Sequence, residues 1–349
     1  IDDRCAHVAS RGHLVVRDLV VCNAGKGLGI SCARGTEGLL VERCLAHHIE
    51  GLYRFNAHGI PEWRDRLGAP EGPRGGIGIG GSPCRAVLRD CEMYQCSSGF
   101  SAVGRDVAVI RVFCHDNFCH NTSPHPFYTS THRAWLLDSV FDASGWNASA
   151  GTMGIMLGFN DGLVIRNCHF LNQPDSGSHD EGGIDFEAGG ENCLVDRCTF
   201  RNNAGAAIEV LGLRSPQARN THIRNCRFDR NNVARKLGPA EIFVWGGSTD
   251  PSIVCSSGLV EGNGYVLNPG ICFYTNQAVR TRADWTVTNN VRYACSADRD
   301  RALPHNNPPV VAAGAEIWTD RPAVGLEAVV SSARATAGNW EQIEGPAAA

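Results

Sequence analysis

A short segment recurs along this chain and limits the folds that the chain can adopt. Each copy begins with apolar residues, continues with charged or amide residues and in most cases ends in cysteine. The residue before the cysteine column falls at positions 18, 43, 90, 112, 138, 167, 197 and 225, in steps of 22 to 30 residues with one exception of 47. Such a period is typical of a solenoid, in which each unit buries its apolar face against its neighbours. Clear copies are Leu14–Asp18, Leu40–Cys44, Val87–Cys91, Val164–Cys168, Leu194–Cys198 and His222–Cys226.

The repeats consist of short alternating segments that predict strands, and they lack helical periodicity. Polar turn residues such as Asn202 and Asn231 follow them, and asparagine suits turns that need left-handed backbone angles. The leucine-asparagine pattern of leucine-rich repeats is absent. These features predict an all-β fold, a right-handed parallel β-helix with coils of about 22 to 30 residues and like residues stacked about 4.8 Å apart.

Stacking predicts two interior ladders of identical side chains. Sixteen cysteines would ordinarily suggest disulfides, but many occupy one repeat position, where a small apolar side chain suits an interior stack. We therefore expect free thiols there in preference to disulfides. The cysteine ladder contains Cys168, Cys198 and Cys226, and the phenylalanine ladder contains Phe170, Phe200 and Phe228.

The repeats also suggest the domain boundaries. The 349 residues, 43% of them hydrophobic, can bury a sizeable core. We predict a β-helix domain over residues 1–295, interrupted by an inserted surface loop at about 56–76, which matches no repeat and is rich in Pro, Gly and charge. Residues 296–349 are Pro- and Ala-rich and are predicted to cap or pack along the solenoid, with one helix near 326–334.

Charge and hydropathy exclude some partners. The net charge of −4 provides no basic field for nucleic acid, and no run of eighteen apolar residues predicts a membrane span. The first residues do not form a signal peptide, although a removed secretion signal is compatible with the sequence. We expect a secreted or periplasmic bacterial protein, and the sequence leaves its oligomeric state open.

Three carboxylates stand out in the second strand of successive repeats. Asp185 and Glu187 alternate with apolar residues in one copy, and Glu209 occupies the matching position in the next copy. Alternation places all three on the outer face, with adjacent coils roughly 5 Å apart and Asp185 and Glu187 roughly 7 Å apart along one strand. No lysine or arginine of these strands neutralises them, so we expect at least one raised pKa.

Alignment of this strand across repeats places the acids in the middle of a row. The aligned segments begin at Ile155, Ile184, Ile208, Ile242 and Ile271. The outward pairs are then Met156/Gly158, Asp185/Glu187, Glu209/Leu211, Phe243/Trp245 and Cys272/Tyr274.

A protonated acid beside an ionised carboxylate is what glycoside hydrolysis requires. Backbone spacing favours the inverting mechanism, but it does not fix the distance between the carboxyl groups, so the sequence leaves the choice between inverting and retaining open. A calcium site and a solvated surface are the alternatives for the same residues. No zinc-ligand spacing is present, and we expect no metal or cofactor apart from this calcium alternative. Residues predicted to bind substrate are Trp245, Tyr274, Phe243, Trp146, His179, Asp180 and Glu181.

The repeats Val164–Phe170 and Leu194–Phe200, with Gly205–Ile208, resemble the pectate-lyase-like β-helix superfamily over about residues 11 to 290. The acidic run Asp180–Glu187 is most similar to bacterial β-helix glycoside hydrolases of the fucosidase/xylanase type and to inulin fructotransferases. This resemblance implies that Asp185, Glu187 and Glu209 supply the catalytic carboxyls. The polygalacturonase motifs are absent.

The sequence therefore predicts a glycoside hydrolase that acts on a poly- or oligosaccharide by carboxyl acid/base catalysis on the outer face of the β-helix. One alternative is a lyase or epimerase acting on uronic acids, which needs calcium or an arginine such as Arg54 or Arg214 to neutralise the substrate. The other alternative is a non-catalytic glycan-binding solenoid.

Overall fold

The computed structural model describes much of the chain in successive segments. These are residues 6–8, 12–23, 29–32, 38–49, 53–55, 61–63, 76–79, 85–96, 98–102, 104–118, 131–145, 152–158, 160–177, 179–187, 189–211, 218–234, 240–245, 254–266, 271–276, 282–293 and 316–319. Every regular element in these segments is a β-strand.

Two long sheets run through the molecule. Sheet I contains β2 (Leu14–Arg17), β5 (Leu39–Glu42), β10 (Ala86–Arg89), β13 (Gly104–Ile110), β15 (Thr131–Leu137), β18 (Asn160–Arg166), β21 (Gly190–Glu191), β22 (Leu194–Asp196), β25 (Ala218–Arg224), β28 (Val254–Glu261) and β31 (Arg282–Thr288). Sheet II contains β3 (Val20–Cys22), β6 (Leu45–His47), β11 (Glu92–Tyr94), β14 (Phe113–His115), β16 (Val140–Asp142), β19 (His169–Leu171), β23 (Thr199–Arg201), β26 (Arg227–Asp229), β29 (Gly264–Val266), β32 (Asn290–Tyr293) and β33 (Glu316–Thr319).

Two shorter sheets form the remaining side of the coils. Sheet III contains β1 (Ala6–Val8), β4 (Ile30–Cys32), β9 (Ile77–Ile79) and β12 (Phe100–Ala102). Sheet IV contains β17 (Met153–Leu157), β20 (Gly182–Phe186), β24 (Ile208–Val210), β27 (Ala240–Trp245) and β30 (Ile271–Asn276).

Each coil pairs in parallel with the next, which confirms the parallel β-helix. Val164 on β18 pairs with Leu194 on β22, and Leu194 pairs with His222 on β25. The step of 47 residues also lies where the repeats place it, since Leu40 pairs with Val87. A second long step separates Ile223 from its partner Val260, so coil length exceeds the predicted range there.

The turn between sheets I and II explains why the residue before the cysteine column of the repeat is usually polar. Its residues take positive φ angles between 49° and 56°, a region where asparagine and aspartate are least strained. Arginine occupies the same position at Arg43 and Arg197. The prediction that position 112 precedes the cysteine column is wrong. Arg111 has the left-handed angle of that position, and Val112 lies buried in the cysteine column itself.

Both predicted ladders are present in the core. Phe170, Phe200 and Phe228 are fully buried, and their ring centroids are 5.0 and 5.1 Å apart. Phe141 and Tyr265 extend the stack by one level at each end. The ladder thiols Cys168, Cys198 and Cys226 are buried, and the ten cysteines whose side chains the structure describes are all free.

A ladder of amide side chains runs through the next turn. The backbone NH of Gln173 donates to Oδ1 of Asn203 at 3.0 Å, and the NH of Asn203 donates to Oδ1 of Asn231 at 3.3 Å. The amide of Asn203 also donates to the carbonyl of Phe170 at 3.2 Å. These bonds satisfy buried backbone groups at a point where the chain leaves one sheet for another.

The insertion and the C-terminal segment are described only in part. The insertion begins before residue 56, because β7 (Tyr53–Phe55) pairs antiparallel with β8 (Pro61–Trp63). Residues 64–75 and the predicted helix at 326–334 lie outside the described segments. Strand β33 pairs in parallel with β32, so sheet II continues past residue 295. The division into domains at that residue stays a prediction.

Candidate active site

The outer face of sheet IV carries a row of five residues in register. Met156 pairs with Asp185, Asp185 with Glu209, Glu209 with Phe243, and Phe243 with Tyr274. We call these five residues the acid row. The prediction that Asp185 and Glu209 are neighbours on adjacent coils is confirmed, and the row encloses the two acids between apolar side chains.

Glycines bring the strands of this site together. A Cβ atom on Gly182 would overlap the carbonyl oxygen of Ala206, and one on Gly205 would overlap the carbonyl oxygen of Asp180. The NH of Gly183 donates to Ala206 at 3.1 Å, and the NH of Gly205 donates to the carbonyl of Glu181 at 2.8 Å. Glycine is therefore required for the close approach that sets the positions of Asp180 and Asp185.

The two acids at the centre of the row are fully buried. Asp185 and Glu209 are both 0% exposed, so the alternative of a solvated carboxylate surface is wrong for these two residues. No donor among the described residues gives a hydrogen bond to either carboxyl group. Asp185 contacts the carboxyl group of Glu187, and two carboxyls can share a hydrogen bond only when one of them holds a proton.

Burial is the main reason that the pKa values of these acids rise. Desolvation raises the pKa of Asp185 well above its usual range, and the nearby carboxyl groups of Glu187 and Glu209 raise it further. Desolvation also raises the pKa of Glu209 well above its usual range, with added contributions from Asp180 and Glu187. Both carboxyls therefore stay protonated at pH values where an exposed carboxyl is ionised.

Glu187 and Asp180 complete the acid cluster. Glu187 lies immediately after the end of β20 and is partly exposed, and its NH donates to the carbonyl of Leu157 at 3.1 Å. Asp180 is 8% exposed, and desolvation, aided by the charge of Glu187, raises its pKa to about 6. His179 is exposed and opposes this rise. The cluster thus joins protonated acids to a carboxyl that solvent can reach.

Glu181 has contacts typical of a turn residue. Its Oε1 accepts hydrogen bonds from the NH of Ser176 at 2.7 Å and from the Ser176 hydroxyl at 2.9 Å. The side chain is buried, and the backbone has a positive φ of 56°. These contacts hold the turn that leads into β20 and position Asp180 beside it. Substrate binding by Glu181 stays a prediction.

The aromatic residues beside the acids fall into a different register from the one expected. Ile242 pairs with Phe273, so the alignment of Ile271 with Ile242 is wrong by two residues. Tyr274 consequently lies beside Phe243, with ring centroids 5.7 Å apart, and Trp245 pairs with Asn276. Phe243 is buried in an apolar cluster with Ala206 and Leu211, against which Tyr274 packs.

The two tryptophans predicted to bind substrate fall partly or wholly outside the described residues. The backbone of Trp245 lies in β27, but its side chain is not described. Trp146 lies between two described segments. The part of both residues in substrate binding stays a prediction.

The described segments contain neither a metal cluster nor a membrane-spanning helix. Within them, no group of three or more His, Cys, Asp or Glu side chains is arranged to hold a metal ion. The same segments form no helix with the length and apolarity that crossing a membrane requires.

Sequence reasoning missed the apolar environment of the acids. Alternation identified the outward positions, but it does not show that the outward side chains of Asp185 and Glu209 are covered, and both are 0% exposed. The raised pKa of Asp180 was missed for the same reason. The glycines at 182, 183 and 205 were the available signal, because closely spaced strands exclude water.

Comparison with known proteins identifies the family of this chain and finds solved structures similar to it. Residues 74–257, more than half of the chain, match the family model described as right handed beta helix region. A crystal structure of PfbA, a surface adhesin of Streptococcus pneumoniae, matches with a TM-score of 0.44 and 11% identity, over 85% of this chain and 71% of that chain. Among curated proteins there is no match.

Proposed function

Because this chain belongs to the right-handed β-helix family, we propose that it is a carbohydrate-active enzyme, a glycoside hydrolase whose acid/base groups lie at the acid row. The observation that carries the proposal is the joining of protonated carboxyls, Asp185 and Glu209, to the partly exposed Glu187. Glycoside hydrolysis needs one carboxyl that donates a proton and another that acts as base or nucleophile.

The burial of each carboxyl suggests its role. Glu187 is the partly exposed group, and we assign to it the role of base or nucleophile. Asp180, with a pKa of about 6, is suited to donate a proton to the leaving oxygen near neutral pH. Asp185 donates its proton to Glu187 as a hydrogen bond, and Glu209 keeps the adjacent position uncharged. Asp185 and Glu209 therefore do not touch the substrate in this proposal, and they affect catalysis only through their contacts with Glu187 and Asp180.

The surrounding residues suit a sugar substrate. Tyr274 is partly exposed at the end of the acid row, and aromatic rings pack against the apolar faces of sugars. His179 is exposed beside Asp180 and can donate hydrogen bonds to hydroxyl groups. A polysaccharide substrate suggests a secreted or periplasmic location, which we propose on that ground alone.

Glycan binding without catalysis is the second candidate. The complete burial of Asp185 and Glu209 favours it, because a group that touches the reacting atoms must be reachable by substrate. On this view, Tyr274 and Trp245 bind the sugar and the acids only shape the sheet. The uronate lyase stays an alternative that requires a cation to neutralise the substrate carboxylate.

A digest of a glycan panel separates these functions. Wild type, Glu187→Gln and Asp180→Asn are incubated with neutral and uronic-acid glycans, with and without chelator, and both new reducing ends and the absorbance of unsaturated products are followed. Hydrolysis predicts reducing ends without absorbance, and a loss of at least about 100-fold in either variant. The exposed carboxyl variant Asp161→Asn is the control and should retain wild-type turnover.

Each other outcome contradicts the proposal. Absorbance that disappears with chelator identifies a calcium-dependent lyase. Saturable binding of a glycan without product, unchanged in Glu187→Gln, identifies a binding module. Folding of each variant is checked by its far-ultraviolet circular dichroism, so that loss of turnover is not mistaken for loss of structure.

A further inference from the structure

An apolar row lies on the outer face of sheet I, on a different side of the coils from the acid row. Register relates its members from β2 to β31. Six of the ten are Val15, Leu40, Val87, Trp135, Val164 and Leu194. Ala108 and Leu259 are also apolar, and His222 and Thr286 are the polar members. We call these ten positions the apolar stripe.

The stripe faces away from the core. The residues next to it along each strand, such as Val41, Leu88 and Ile165, are fully buried and point inward. The members of the stripe are partly or fully exposed, with Val15 at 54% and Trp135 at 38%. A sheet with one solvated face normally carries polar residues on that face, and apolar residues on both faces are typical of a sheet that is covered.

The border of the stripe is charged but already paired. Two residues farther along the strands, Arg89 Nη2 lies 2.6 Å from Glu42 Oε2. Farther down the same border, Asp196 accepts from Arg166 at 3.0 Å and from Arg224 at 3.2 Å. Cation and anion therefore alternate between coils in these two stretches of the border, which give no strong field of one sign. A highly charged partner would find no complementary surface here.

We propose that the apolar stripe is the surface through which two copies of this chain associate. The stripe spans ten coils, about 43 Å at a spacing of about 4.8 Å. Its partner must present an apolar surface of the same length with a border of balanced charge. A second copy has both properties, because its own stripe has the same length and the same paired border.

The area of the stripe is sufficient for such a dimer. A width of about 14 Å, one residue position on each side of the central row, gives about 600 Å² per copy and about 1,200 Å² in total. Specific interfaces begin near that total area. Trp135 lies near the middle of the stripe, where a large aromatic side chain contributes most to association. The dimer is expected to dissociate on dilution.

Sedimentation velocity of the full chain tests this proposal. Wild type is measured over a concentration series up to about 100 micromolar, together with Val164→Glu and Trp135→Glu. The expected result is a dimer for wild type and a dissociation constant at least about tenfold higher in each variant, because a carboxylate would be buried against apolar residues. Val233→Glu is the matched control, since Val233 is 59% exposed and lies outside the stripe.

The outcomes are separable from any effect on folding. Circular dichroism and thermal unfolding show whether each variant keeps the fold, and the two variants occupy different strands. A wild type that stays monomeric over the whole series overturns the proposal. So does a dimer that both glutamate variants leave unchanged, which would place the interface elsewhere, and so does a dimer that Val233→Glu weakens equally.

Discussion

The free energy of unfolding of Asp185→Asn, relative to that of wild type, should increase as the pH rises. The carboxyl is fully buried, without a donor among the described residues, and its pKa is raised well above the usual range by desolvation and by the nearby carboxyl groups of Glu187 and Glu209. In the unfolded chain, an aspartate ionises at about pH 3.9. Folded protein therefore retains a proton that unfolded protein releases, and stability falls as the pH rises between the two pKa values.

The size of the effect follows from one proton. Each pH unit over which unfolded Asp185 is ionised and folded Asp185 is protonated reduces the free energy of unfolding by about 1.4 kcal/mol. Asparagine has nearly the same shape but does not titrate. Across two such pH units, Asp185→Asn should gain about 2.7 kcal/mol relative to wild type.

Urea unfolding followed by tryptophan fluorescence measures this difference at several pH values between about 5 and 7. Asp161→Asn is the control, because that carboxyl is largely exposed and its replacement should leave the pH dependence unchanged. A difference between Asp185→Asn and wild type that is constant with pH would refute the reasoning, since it would mean that the folded carboxyl is already ionised.

Three further predictions follow from the structure. Phe200→Ala should lower the free energy of unfolding, measured by urea titration, by about 3 to 5 kcal/mol, because the Phe200 ring is buried between two stacked rings. A loss no larger than that caused by Val233→Ala, at an exposed position, would contradict the stacked phenylalanine ladder. Gly205→Ala should prevent folding, seen as loss of the thermal transition, because its Cβ would overlap a carbonyl oxygen, whereas Gly12→Ala has open space and should fold normally. If Asp180 is the proton donor, wild-type turnover should fall as the pH rises above about 6, and residual turnover in Asp180→Asn should lack that limb of the pH–rate profile; an unchanged limb would remove Asp180 from this role.

The fold could be predicted because like side chains recur at the same position of each repeat and stack on one another. The Phe170 and Cys168 columns are each visible in three successive copies, and the structure places those copies in register. The same local comparison does not reveal how far an insertion extends. The insertion begins at Tyr53, three residues before the predicted start at 56, because β7 and β8 form a hairpin with each other.

The site could be predicted only as far as alternation along a strand reaches. Asp185 and Glu209 are neighbours because they share a position in the repeat, and this needed no knowledge of tertiary packing. Their complete burial could not be predicted in this way, because the pattern along one strand does not show what covers its outer face. The placement of Tyr274 failed because β27 and β30 pair two residues away from the alignment of their isoleucines, and a shift of two preserves the inward and outward alternation.

The protonation state of Asp185 at neutral pH tests the central claim most directly, because the role proposed for Glu187 as base or nucleophile depends on a neutral Asp185 beside it. Infrared difference spectra between wild type and Asp185→Asn isolate the carbonyl stretch of this one group. We predict the band of a protonated carboxylic acid in wild type, absent from the variant and shifted in deuterium oxide. A band of an ionised carboxylate in its place would contradict the account.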